Sequence, residues 1–210
     1  MSKSNIEISA ATVPKPLKKS DRTREQILHA AAKLFREQGF AATTLRQIAV
    51  RAKLKAGSIY YYFSSKNEIL DEVLELGIQV VFDAVRQTLD ALPKNASGRE
   101  RIEAAAEAHL YTLLKYSDFT SANFRIYAQV SNTARRRNRS IRRAYTGYWK
   151  ALLGSVQDGG EIAADVDLTL TRLFLLGSMN GAVEWYDDKK EPISVLAQKL
   201  CATLFDGVGQ

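Results

Sequence analysis

Helix stops and starts crowd the stretch from Gly39 to Glu68, and this crowding constrains the fold more than any other feature of the chain. Gly39 suits the end of a preceding helix. Thr44 and Gln47 form a T-x-x-Q capping box, and Ser65 and Glu68 form an S-x-x-E box. Between the two boxes there is room for a short helix from Thr44, with Leu45, Ile48, Ala49 and Ala52 on its buried face. A break at Lys53 to Lys55 follows, then a third short helix over about 56–62. In front stands a longer helix, about Arg22 to Gln38, whose Ile27, Ala31, Leu34 and Phe35 make one apolar stripe. A packing helix followed by two short helices across a tight break is the plan of a helix-turn-helix.

The rest of the chain continues in helices. The fourth opens at Ser65 and ends near Leu92, because Pro93 cannot continue it; Ile69, Val73, Leu76, Val80 and Val85 can line its inner side. Five more candidates cover about 99–116, 119–131, 138–157, 165–186 and 192–206, with Pro192 suited to the first position of the last. No stretch shows the alternation of a strand. The expected fold is all-α, with about nine helices.

Charge is unevenly placed. The formal net charge is +7 over 210 residues, but residues 1–66 hold 13 Lys and Arg against 4 Asp and Glu, whereas the remainder holds 17 against 19. A localised basic face is the electrostatic footprint of a nucleic-acid binder, and a solvated basic surface is the plainer alternative. One cysteine, Cys201, excludes a disulfide framework, and two histidines leave little for a metal site, so no metal and no cofactor are expected. No apolar run is long enough to span a membrane. Residues 1–20, with Lys15, Lys18 and Lys19, lack the apolar segment of a secretory signal and read as a flexible basic arm. The expected location is the cytoplasm.

The third short segment, Lys55-Ala56-Gly57-Ser58-Ile59-Tyr60-Tyr61-Tyr62-Phe63, has the chemistry of a recognition helix. Ala56 and Gly57 are small enough for close approach, and Ser58 and the tyrosine hydroxyls can bond phosphate oxygens. Ile59 and Phe63 can face the core, whereas three consecutive tyrosines cannot all turn inward. Lys66 lies in the first turn of the next helix, where a cation opposes the helix dipole; an outside phosphate would explain it.

The stretch Thr43 to Ala49, together with Gly57 to Lys66, resembles the N-terminal signature of the tetracycline-repressor (TetR) family over about Arg24 to Leu70. The resemblance implies a DNA-binding domain at 21–66 and a ligand-binding and dimerisation domain at 67–210. It implies a homodimer that binds a pseudo-palindromic double-stranded operator and a small-molecule effector. Carried over by position, Thr44, Arg46, Lys55, Ala56, Gly57, Ser58, Tyr60, Tyr61, Tyr62 and Lys66 face DNA. The family often has a histidine at the place of Tyr62 and a lysine at that of Ala56, so base preference does not carry over. Arg22 and Arg24, with the lysines of the arm, would add phosphate or minor-groove contacts; a merely solubilising tail is the alternative.

The helix at 165–186 is apolar on more than one face, with small residues at Gly177, Ser178 and Gly181. The last helix offers the stripe Ile193, Leu196, Leu200 and Leu204. The resemblance places the dimer contact on these two helices, and intrachain packing is the alternative. Candidate pocket residues are Tyr111, Phe124, Tyr127, Tyr148, Trp149 and Phe174, all of which would serve equally as plain core. Six arginines fall within residues 135–143 with no acid between them. Either this is a solvated helix start, or it meets an anion such as the phosphates of a coenzyme A thioester. The ending Val183-Glu184-Trp185-Tyr186 is similar to family members that sense acyl-CoA compounds.

The reading is a ligand-responsive regulator, a repressor released by a small molecule such as an acyl-CoA. The alternatives are a drug-responsive efflux regulator and, more remotely, a helical interaction protein that does not bind DNA. No phosphate loop, nucleophile elbow or zinc-binding pair occurs, so no catalytic residue and no enzymatic activity are expected.

Overall fold

The computed structural model describes residues 19–127 and 130–207. Ten helical elements follow one another, and no strand occurs among the described residues. The first four are α1 (Lys19–Ala42), α2 (Leu45–Arg51), the short 3-10 element α3 (Ala56–Tyr61) and α4 (Lys66–Asp90). Next come α5 (Gly98–Tyr111), α6 (Asp118–Ile126) and α7 (Asn132–Arg137). The last three are α8 (Arg139–Asp158), α9 (Leu168–Trp185) and α10 (Ile193–Asp206). The element added to the nine expected is α7, capped by Ser131, which lies where the sequence suggests only a link between two helices.

Local chemistry sets the boundaries. α1 begins at Lys19, earlier than expected, and is interrupted at Gly39, whose φ of 80° favours glycine. Thr44 and Gln47 form the full capping box. The Ser65 box is only half made. The Ser65 side chain accepts from the Glu68 amide, but the Glu68 carboxylate accepts from the amide and hydroxyl of Ser64. α2 closes in a Schellman motif: Leu54 N donates to Ala49 O at 2.9 Å and Lys53 N to Val50 O at 3.0 Å. Lys53, at φ 57°, stands where glycine is usual. After Tyr111 the chain makes a single π turn over Thr112–Tyr116 instead of continuing as α-helix. Pro192 caps α10 from just outside its first turn.

Two apolar cores result, and α4 belongs to both. Its Ile69, Leu70, Val73 and Leu74 join Ile27, Phe35, Ile48, Ile59 and Phe63 in the first. Ile78, Val81 and Val85 join Ile102, Leu110, Trp149, Leu153 and Met179 in the second. Phe119, Ala122 and Ile126 of α6 and Ala134 of α7 also pack into the first core. Gly77 makes the α4–α6 approach possible: a Cβ there would lie 2.5 Å from the Phe119 carbonyl oxygen. Thr120 Oγ1 donates to the Gly77 carbonyl at 3.0 Å across the same contact. Helices from the later part of the chain therefore grip the helix-turn-helix bundle directly.

Candidate functional site

The recognition segment sorts its side chains by depth. Ile59 and Phe63 are buried, as their spacing predicts, and Tyr62 is half-buried against the same core. Tyr60 and Tyr61 stand in solvent at 63% and 83% exposure. Lys55, Ala56 and Gly57 are exposed, and Ser58 is half-buried. A Cβ on Gly57 would meet nothing within 4 Å, so the fold itself does not require glycine there. Thr44 is engaged as the α2 cap, and Arg46 points outward with no ion pair among the described residues. No carboxylate lies in sequence between Glu37 and Glu68, and Glu37 is held by Arg51 at 2.7 Å. The exposed face of α2 and α3 is therefore cationic and rich in hydroxyls.

Lys66 has partners within the fold. Its ammonium donates to the carbonyls of Phe40 at 2.8 Å and Thr43 at 2.6 Å, and it sits 4.2 Å from the Phe40 ring centroid. Charged hydrogen bonds are worth about 1.5–3 kcal/mol each. The adverse helix dipole costs about 0.3–1 kcal/mol. The carbonyls win, and no outside phosphate is needed to explain the cation. Desolvation lowers the Lys66 pKa from its ordinary value. Arg24 is likewise engaged: its guanidinium forms a two-pronged pair with Glu72 and lies 4.6 Å from the Phe63 ring centroid. Arg22 is exposed on α1, while Lys15 and Lys18 lie outside the described residues.

The second core contains a polar centre that the sequence did not reveal. His109 on α5 is fully buried. Its Nε2–H donates to Asn180 Oδ1 of α9 at 3.0 Å, and its Nδ1 accepts from the Tyr145 hydroxyl of α8 at 2.7 Å. Burial holds the His109 pKa down to about 4, so the ring is neutral at neutral pH, and burial raises the Tyr145 pKa. Phe124, Tyr145 and Trp149 pack their rings around the imidazole, and Phe82 lies against Tyr145 and Tyr148. The Trp149 indole nitrogen is buried and has no acceptor at hydrogen-bond geometry among the described residues. The π turn begins three residues beyond His109, and such turns often accompany functional sites.

Of the six expected pocket residues, Phe124, Tyr148 and Trp149 belong to this centre. Tyr127 packs instead at the edge of the first core, under the Arg142 guanidinium. Tyr111 is 42% exposed, and Phe174 is 73% exposed on α9, so neither belongs to the enclosed aromatic centre. The helical period fixes a face, but which face turns inward is settled by packing. His109, Tyr145 and Asn180 were missed because single polar residues on three separate helices carry no shared spacing.

The expected dimer residues also divide. Gly177 is exposed and Gly181 half-buried on α9, beside the exposed Leu170, Leu173, Phe174 and Trp185. The α10 stripe turns inward: Ile193 and Leu196 are buried, and Leu200 and Leu204 pack on the second core. Within the subunit this face packs chiefly against α5, with Leu200 and Leu204 left half-buried.

Residues 27–73 match the family described as bacterial regulatory proteins, tetR family, and residues 95–208 match the tetracyclin repressor-like C-terminal domain. The chain belongs to the TetR family. It is a DNA-binding transcriptional regulator with an N-terminal helix-turn-helix and a C-terminal regulatory domain. The TetR-family repressor KstR2 of Rhodococcus jostii is 29% identical over 191 residues, covering 88% of this chain and 90% of that protein. FadR of Bacillus subtilis in complex with stearoyl-CoA superposes with a TM-score of 0.75 at 21% identity, over 88% of this chain and 99% of that one. AibR in complex with isovaleryl coenzyme A and operator DNA gives 0.77 at 18%, over 87% and 98%.

Proposed function

We propose that this regulator works in the cytoplasm as a homodimer, represses from a pseudo-palindromic operator, and is released by an acyl-coenzyme A thioester or a similarly apolar metabolite. Residues 21–66 are the operator-binding unit and 67–210 the effector and dimer unit. Thr44, Arg46, Lys55 to Ser58 and Tyr60 to Tyr62 form the operator face. Paired recognition helices one DNA turn apart, about 34–36 Å, read the two half-sites. The dimer face is α9, where Leu170, Leu173, Phe174 and Trp185 present an apolar strip beside Gly177. No step requires catalysis. Burial pushes the Cys201 thiol up to about 12, which keeps it protonated.

The observation that carries the effector reading is the His109–Tyr145–Asn180 relay inside an aromatic shell. Buried polar groups cost stability unless paired, and His109 is paired on both ring nitrogens, by Tyr145 of α8 and Asn180 of α9. An effector carbonyl could take the Tyr145 hydroxyl in place of His109. No carboxylate is fully buried among the described residues, which favours a neutral effector head over a cationic drug. The acyl-CoA complexes of FadR and AibR support the same chemical class.

Release follows from unequal binding to two states. Asn123 of α6 donates to the Leu74 carbonyl of α4 and accepts from Arg142 of α8. A shift of α8 around a bound effector thus reaches α4, which carries the helix-turn-helix.

The test is a thermal-shift panel of coenzyme A thioesters, free fatty acids and apolar cations, followed by operator anisotropy. A saturable rise with a thioester, and loss of operator binding in its presence, is the expected result. Stabilisation by cations alone would favour the efflux-regulator alternative.

A further inference from the structure

The arginine run is not used by the operator face or by the His109 centre. Arg135, Arg136 and Arg139, with Tyr127 and Asn132, line a groove of about 310 Å³ between α6, α7 and the start of α8. That is at the small end of ligand sites, which span about 300–1,000 Å³. Three guanidiniums enter the lining and no carboxylate does. Arg136 donates to its own neighbour Thr133 at 3.1 Å, and Arg139 has no ion pair among the described residues. Arg142 lies beneath the groove with its guanidinium 3.3 Å from the Tyr127 ring centroid. Its Nε is buried and makes no hydrogen bond among the described residues. Arg136 and Arg139 thus bring like charge to one wall of the groove, an arrangement that an anion would relieve.

The groove also has a direction. At the C-cap of α6, Tyr127 lies in the groove, and Phe124, three residues earlier, contacts His109 at 5.8 Å between ring centroids. On α8, Arg139 lies in the groove, and Tyr145, six residues later, bonds His109. Six residues of helix rise about 9 Å. The same pair of helices therefore holds a cationic end and a buried polar centre a short flexible arm apart.

We propose that this groove binds the phosphate groups at the nucleotide end of a thioester effector whose acyl end enters the His109 centre. The inference rests on the effector reading above. Arg136 and Arg139 supply the outer charged hydrogen bonds, and Arg142 supplies the fixed inner charge.

The experiment is calorimetric titration of the full chain with an acyl-CoA, coenzyme A, 3′-dephospho-coenzyme A and adenosine 3′,5′-bisphosphate. It compares the unaltered protein with Arg136→Ala, Arg139→Ala and their double variant. Arg143→Ala, an exposed arginine outside the lining, is the control. The expected result is about a tenfold rise in Kd for coenzyme A per substitution and about a hundredfold for the pair, each steepened by salt. The control, the unliganded melting temperature and the operator affinity should stay unchanged. An acyl-CoA that binds the unaltered protein and the double variant equally overturns the groove and leaves the effector reading standing. Binding of the bisphosphate, lost in the double variant, with no thioester binding at all, keeps the anion site but rejects its thioester ligand. Displacement of coenzyme A by inorganic phosphate at equal concentration overturns nucleotide recognition. A fall in operator affinity in the double variant assigns the arginines to DNA and overturns the proposal.

Discussion

Lys66 donates to the Thr43 carbonyl at 2.6 Å, which fastens the first turn of α4 to the residue before the α2 cap. A lysine expected to meet a phosphate also clamps the helix-turn-helix from within. Lys66→Met should lower the unfolding free energy by about 1–3 kcal/mol, seen as a lower urea midpoint at unchanged m. An unchanged midpoint with weakened operator binding would return Lys66 to the phosphate role.

Gly57 and Tyr61 test the outer face alone. Neither is needed inside: the Gly57 Cβ position is open, and Tyr61 is 83% exposed. Gly57→Leu and Tyr61→Ala should keep the melting temperature within a degree or two and weaken operator binding about tenfold or more, measured by anisotropy. Normal operator affinity in both would mean that another surface meets the DNA.

Lys53 holds a left-handed conformation at the end of α2. Such a residue costs roughly 1 kcal/mol relative to glycine, partly offset by glycine's larger unfolded-state entropy. Lys53→Gly should raise the melting temperature slightly while removing a cation from the DNA side. A drop in stability would contradict the motif.

The buried histidine gives a pH signature. His109 has its pKa lowered to about 4 from 6.5, so the unfolded chain takes the proton first. Its penalty is absent above about pH 6.5 and grows as the pH falls toward 4. Between pH 7 and pH 5 the chain should lose about 2 kcal/mol from this group. Denaturant titrations of the unaltered protein and His109→Gln at both values isolate it; parallel losses in the two would show that His109 does not contribute.

α9 and α10 should behave differently under substitution. Phe174→Asp, on an exposed face, should leave the subunit folded and shift sedimentation from dimer to monomer. Leu196→Ala on α10, buried at 7% exposure, should instead cost about 2–5 kcal/mol of subunit stability. A folded monomer from the α10 variant would place the dimer contact there after all.

The sequence by itself determined the helical architecture and the helix-turn-helix, because caps, stops and apolar stripes act over three or four residues. Thr44 with Gln47, the stop at Gly39 and the inward Ile59 and Phe63 are all local statements. Only the tertiary structure decided where long side chains end. Lys66 reaches back 23 residues to Thr43, and Arg24 reaches 48 forward to Glu72. His109 finds Tyr145 and Asn180 on other helices, and the stripe on α10 packs on the second core while Phe174 on α9 stays exposed in the subunit. Periodicity says which residues share a face. What that face meets depends on distant segments competing to cover it, and that competition is resolved only by packing the whole chain.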